Sequence, residues 1–132
     1  MGDKKIGLAL CGGGARALCH IGVIKVLEDL GLDLHCVSGT SQGALIGASY
    51  CSGTSIKELE EYVSAMDWRS LLMFTDLSLS RMGMINGKKV EEVLERFLKG
   101  KTFKDAGNFC CTAVDILKEE VKVLKKGRLI DA

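Results

Sequence analysis

At 132 residues, with 47% apolar side chains and a formal net charge of +1, the chain is one globular domain at most, long enough to bury a core. Its charges are interspersed without like-signed blocks, so nothing recommends nucleic acid as a partner, and no stretch reads as a transmembrane span.

In chain order, Met1-Gly2-Asp3-Lys4-Lys5-Ile6 has no long apolar region behind its charges, and Ile6 stands where a myristoylation signal wants Ser or Thr. A cytoplasmic address follows. Ile6 to Cys11 is a short apolar run ending in Gly12-Gly13-Gly14, and from Ala15 the pattern changes to helical spacing through Leu18, Ile21, Leu27 and Leu30. The unit is strand, glycine loop, helix. Gly31 stops the helix, Leu34 to Ser38 forms a second strand, and a second helix begins at Ser41 or Gln42 and runs to about Cys51. Alternation of strand and helix implies parallel strands with right-handed crossovers, hence an α/β sandwich.

Ile56 to Met66 carries Leu59, Tyr62, Val63 and Met66 on one face and Lys57, Glu58, Glu60 and Glu61 on the other, an amphipathic surface helix. The Met- and Leu-rich segment from Leu71 to Ile85 has no clean period; its flexible apolar side chains suit ordinary core, an acyl-chain site or a lid. Gly87 leads into a helix whose Val90, Val93, Leu94, Phe97 and Leu98 form one stripe. Phe109 to Asp115 and Val121 to Leu124 read as a hairpin, although Cys-Cys-Thr-Ala-Val also suits a central parallel strand. The six cysteines, at 11, 19, 36, 51, 110 and 111, fall in apolar runs and read as buried reduced thiols, with Cys110 and Cys111 on opposite strand faces. No Cys/His cluster has metal-ligand spacing, so no metal and no cofactor is expected.

The stretch that carries chemistry is Gly39-Thr40-Ser41-Gln42-Gly43, a G-x-S-x-G between a strand and a helix. On so sharp a turn the residues two before and two after the serine must lack side chains, and the hydroxyl is pushed into the open at the positive end of the helix. A plainer reading makes Gly39 and Gly43 mere turn formers. The Gly12-Gly13-Gly14 loop can point backbone N–H groups into a concavity, and beside a serine on the next strand it would supply an oxyanion hole.

Gly12-Gly13-Gly14-Ala15-Arg16 and Gly39-Thr40-Ser41-Gln42-Gly43, with His20-Ile21-Gly22-Val23 between them and Ala44-Leu45-Ile46-Gly47-Ala48 after, resemble the patatin-like phospholipases in their small bacterial form. The resemblance runs from Ile6 to Ala132. It implies a three-layer α/β/α fold with a mainly parallel sheet and hydrolysis of lipid acyl esters by a Ser-Asp dyad without histidine. Carried over by residue, it makes Ser41 the nucleophile, Gly12, Gly13 and Gly14 the oxyanion loop, and Arg16 the loop's basic partner; Ala17 departs from a glycine often seen there. It also implies a lipid or ester substrate and transient contact with a membrane surface.

The family's aspartate lies in Asp-Gly-Gly or Asp-Gly-Ala, and no Asp-Gly occurs in this sequence; proline is absent too. The expectation is an N-terminal portion of a longer domain, incomplete at the C-terminus, with an uncovered sheet edge open to self-association. Asp131 superficially imitates the missing base, and Asp115 at a strand end reads as a structural acceptor. His20 reads as a satisfied core or loop-bracing side chain in preference to a catalytic one, and His35 as an exposed one. Two rival functions stand beside the hydrolase. One is a non-catalytic fragment of the same fold. The other is a nucleotide-binding module, suggested by Gly12, Gly14 and Ala17 as G-x-G-x-x-A and by Gly100-Lys101-Thr102, although Asp33 lies on the wrong side of the second strand and Glu95 stands where a P-loop needs its first glycine.

Overall fold

The computed structural model describes residues 5–67 and 87–132, so the segment from Leu71 to Ile85 lies outside the described residues. Strand β1 (Ile6–Leu10) leads through a 3-10 turn (Gly14–Leu18) into α1 (Cys19–Asp29), then β2 (Leu34–Thr40), α2 (Gln42–Cys51) and α3 (Ile56–Ser64). Helix α4 (Gly87–Leu98), strands β3 (Phe109–Asp115) and β4 (Glu120–Leu124) and a 3-10 turn (Leu129–Asp131) follow.

The four strands form one sheet in the order β1-β2-β3-β4, with β1, β2 and β3 parallel and β4 antiparallel to β3. Both readings of the Cys-Cys-Thr-Ala-Val run therefore hold: it is a central parallel strand on one edge and half of a hairpin on the other. Each parallel crossover advances one place in the same direction, so right-handed connections set the helices on a single face. Side-chain alternation agrees, since Leu10, Val37, Phe109 and Cys111 are buried toward the helices while Ala9, Cys36, Thr40 and Val114 are exposed on the other face. The described residues thus supply two layers of the expected three.

Helix α2 owes its place to small residues. A side chain on Gly47 would begin 2.9 Å from the Phe109 ring, 3.2 Å from Leu10 and 3.3 Å from Val37, three strands at once. Two buried serines at this helix are satisfied locally: Ser49 Oγ donates to the Leu45 carbonyl at 2.8 Å, and Ser52 Oγ, just past the helix end, to that of Ala48 at 2.7 Å. Helix α3 opens with Ser55 Oγ accepting the Glu58 N–H at 3.1 Å and buries Ile56 and Leu59, as its amphipathic spacing requires. Val93, Phe97 and Leu98 of α4 are buried, and Phe97 meets the Tyr62 ring edge-on with centroids 5.0 Å apart.

The cysteines depart from expectation. All six are free, but Cys11, Cys19 and Cys36 are exposed and only Cys111 is fully buried. An apolar run does not reveal which face of a one-sided sheet is covered, and Cys36 falls on the open one. Burial pushes the half-buried Cys51 thiol up to about 11 from an ordinary 9.0. Between about pH 9 and 11 the unfolded chain gives up this proton while the folded chain keeps it, so the unfolded state binds fewer protons and stability falls as pH rises. Urea midpoints measured from pH 8 to 11 should therefore decline, and Cys51→Ala should flatten the decline; equal slopes would contradict the burial of this thiol.

Candidate active site

The carboxyl ends of β1 and β2 lie side by side, with Leu10 opposite Gly39, and β2 runs on to Thr40, opposite Thr112 of β3. The chain then turns sharply at Ser41, whose φ of 54° and ψ of −126° are rare for a residue with a side chain. Such a conformation costs on the order of 1–3 kcal/mol and persists only where the surroundings over-determine it. The Ser41 carbonyl accepts the N–H groups of Ala44 at 2.9 Å and Leu45 at 3.2 Å, so α2 starts at the serine itself. Its hydroxyl does not cap the helix; the residue is exposed.

Both flanking glycines are sterically required. A Cβ on Gly39 would sit 2.4 Å from Ala44 Cα, and one on Gly43 would sit 2.4 Å from the Leu10 carbonyl oxygen and 2.6 Å from that of Cys11. The second contact presses the start of α2 against the end of β1 and brings the glycine loop to the serine. A Cβ on Gly12 would lie 3.1 Å from Ser41 Cβ and 3.8 Å from Ser41 Oγ. Gly13 has φ 142° and Gly14 φ 56°, conformations open to glycine, and the Gly13 carbonyl accepts the Arg16 N–H at 3.2 Å. Arg16 is exposed beside this loop. A carbonyl carbon brought to Ser41 Oγ would thus meet bare backbone on the loop side and the positive end of α2 on the other.

The remaining candidates separate cleanly. His20 Nε2 lies 3.0 Å from the Cys11 carbonyl and 3.6 Å from Cys11 Sγ, which braces the entry to the glycine loop. His35 is exposed near the start of β2, at the other end of the sheet. Asp115 accepts the Lys118 N–H at 3.2 Å, and it lies three residues past Thr112, roughly 10 Å up the strand from the level of Thr40. Asp131 pairs with Arg128 at 3.1 Å, after β4 has run back to the amino end of β3. Gly100-Lys101-Thr102 follows the end of α4 instead of opening a helix, and Lys101 Nζ donates to the Ser52 carbonyl at 3.2 Å. That is not the geometry of a phosphate loop.

Sequence reasoning missed one contact here. Thr40 and Thr112 share a hydrogen bond between their Oγ1 atoms at 2.7 Å, one residue before the serine. The composition of the two strands hints at it, but only the register puts the hydroxyls together. Behind the turn, a small apolar crevice of about 30 Å³ is bounded by Gln42, Leu45, Ile46 and Phe97 among others.

A parallel α/β sheet with a strained serine between strand and helix, faced by a glycine loop, defines the class of α/β proteins that place a hydroxyl at the carboxyl edge of the sheet. Comparison with known proteins makes this specific. A profile of the patatin-like phospholipases matches residues 8–123, and the chain belongs to that family. An uncharacterised NTE family protein of Mycobacterium bovis is 34% identical over 88 residues, 67% of this chain and 24% of that protein. A patatin-like phospholipase domain-containing protein of Caenorhabditis elegans is 31% identical over 131 residues, covering 94% of this chain and 10% of its own length. The neuropathy target esterase of Drosophila grimshawi is 32% identical over 107 residues, 77% of this chain and 7% of the fly protein. The chain spans a quarter or less of the length of these relatives. Among the described residues no helix is long and apolar enough to cross a membrane, and no group of three or more His, Cys, Asp or Glu is placed to hold a metal.

The packing at Gly43 gives a test that needs no substrate. Alanine is better than glycine in a helix by about 1 kcal/mol, yet here its Cβ would press on two backbone oxygens that cannot rotate away. Gly43→Ala should destabilise the fold by about 1–3 kcal/mol in urea titration; a gain in stability would show that the contact with β1 is loose.

Proposed function

We propose that Ser41 is the nucleophile of an acyl hydrolase that cleaves carboxylic ester bonds of phospholipids or related lipids, with Gly12, Gly13 and Gly14 as the oxyanion loop. The observation that carries this reading is the strained, exposed Ser41 at the start of α2 with Gly12 packed against it. The esterase name of the Drosophila relatives and the family itself support the choice of lipid ester as substrate.

A base takes the Ser41 hydroxyl proton as Oγ attacks the ester carbonyl carbon. The oxyanion of the tetrahedral intermediate is held by loop backbone N–H groups and the α2 dipole, and its collapse expels the alcohol, which recovers the proton. Water then releases the acid from the acyl-enzyme by the same steps in reverse roles. The base we assign to an aspartate outside residues 1–132, in the remainder of a longer patatin-like domain. What supports this is the position of the two inside candidates: Asp115 caps its own turn and Asp131 is paired at the far end of the sheet. To Arg16, exposed beside the loop, we assign the role of holding the loop or orienting a substrate phosphate. Exposed free thiols at Cys11, Cys19 and Cys36 support a reducing, cytoplasmic setting.

The tests follow from these roles. In the full-length protein, Ser41 should react with a fluorophosphonate, and labelling that persists in Ser41→Ala would sink the assignment. Gly13→Val should lower kcat for a p-nitrophenyl ester by about 10²–10³, the usual effect of losing one oxyanion donor; near-parental turnover would contradict the loop's role. Asp115→Asn and Asp131→Asn should each leave labelling unchanged, whereas loss of labelling in either would move the base inside this chain.

A further inference from the structure

The β3–β4 hairpin ends in a turn of unusual composition. Turns are normally polar, yet residues 116 and 117 of this one are Ile116 and Leu117, 84% and 97% exposed. The turn is well defined: Asp115 pairs with Glu120 across its base, the Asp115 carboxylate accepts the Lys118 N–H, and Glu119 takes the left-handed φ of 53° that closes the loop. It holds its two large apolar side chains outward.

Its direction is set by the sheet. Because β2 and β3 are parallel, the tip points the same way as the end of β2 that carries Ser41. Beyond Thr112, the partner of Thr40, β3 continues through Ala113, Val114 and Asp115, so the tip projects roughly 10 Å past the level of the serine. Val114 and Val121, the exposed pair just beneath it, extend the apolar strip toward the sheet.

We infer that this tip is an interfacial anchor that inserts Ile116 and Leu117 into a zwitterionic phospholipid surface and so seats the Ser41 edge on its substrate. The choice of partner rests on the lipid-hydrolase reading above; the geometry of the tip does not. Two side chains on a projecting turn are far too small an area for a stable protein interface, which needs about 1,200–2,000 Å², whereas in a bilayer each immersed side chain contributes independently. The charges decide the lipid. The hairpin end carries Asp115, Glu119 and Glu120 against Lys118 and Lys122, and Lys122 is paired with Glu120, so it has no positive excess to attract anionic headgroups. The cationic cluster of Lys104, Lys125, Lys126 and Arg128 sits at the opposite end of the sheet.

The experiment uses full-length protein carrying Ser41→Ala, so that binding is read without turnover, and phosphatidylcholine vesicles in a flotation assay. The protein should partition onto the vesicles with little dependence on salt. Ile116→Asp with Leu117→Asp should weaken partitioning about 100-fold, from roughly tenfold per side chain. The urea midpoint should stay unchanged, and Ile116→Ser with Leu117→Ser should show the same loss without added charge. Parental protein that ignores these vesicles, variants that bind as well as the parent, or binding confined to phosphatidylglycerol and abolished by salt would each overturn the anchor. With Ser41 intact, the tip variants should keep their rate on a soluble short-chain ester while losing it on vesicles. Intact vesicle binding without any Ser41-dependent ester hydrolysis would remove the catalytic reading and leave the anchor standing.

Discussion

Everything at the carboxyl edge of this sheet depends on one close approach, that of the Gly43 backbone to the carbonyl oxygens of Leu10 and Cys11. A methyl group there would meet both oxygens at less than 2.7 Å. The contact pins the first turn of α2 to the end of β1, and from that follow the sharp return of the chain at Ser41 and the packing of Gly12 beside it. The strain of the serine, on the order of 1–3 kcal/mol, is small beside the apolar burial that fixes both sides of the turn. Leu10, Val37, Ile46 and Phe109 are each nearly inaccessible and lock β1, β2, β3 and α2 together; each contributes about 1.5–3 kcal/mol.

The order of strands has its own consequence. A sheet that winds in one direction gathers its helices on one side, so the face bearing Leu10, Val37 and Phe109 is deeply buried while the face bearing Ala9, Cys36 and Val114 is open in the described residues. The same arrangement explains the cysteines. Cys36 and Cys111 both sit in apolar β runs, but one points to the open face and the other to the helices.

Much of the candidate site's local geometry was legible because the signals are local. A serine flanked two residues away by glycines, between an apolar run and a small-residue run, states its own steric problem, and a Cβ would clash at each of those two positions. A structural use of His20, in the core or against the loop, and the acceptor role of Asp115 were readable for similar reasons, one from its place after the glycine loop and the other from its place at a strand end; the contact with the Cys11 carbonyl decides for the loop. What was not legible depends on register between distant segments. The Thr40–Thr112 bond joins residues 72 apart in sequence and needs the exact alignment of β2 on β3. The exposure of Cys36 needs knowledge of which sheet face is covered, which composition does not carry.

The parallel run of β1, β2 and β3 also sorts the chemistry of the two ends. Helix starts and the glycine loop gather where the strands finish, and this is the edge to which we assign the proposed attack on an acyl ester. The hairpin that follows β3 extends in that direction before β4 returns, so its turn lies beyond the level of Ser41. Lys104, Lys125, Lys126 and Arg128 collect where the strands begin. Strand β3 carries Thr112, hydrogen-bonded to Thr40 one residue before Ser41, and leads directly into the apolar tip, so one short strand joins the two. A site that must act at an interface has reason to share a rigid strand with the element that meets it.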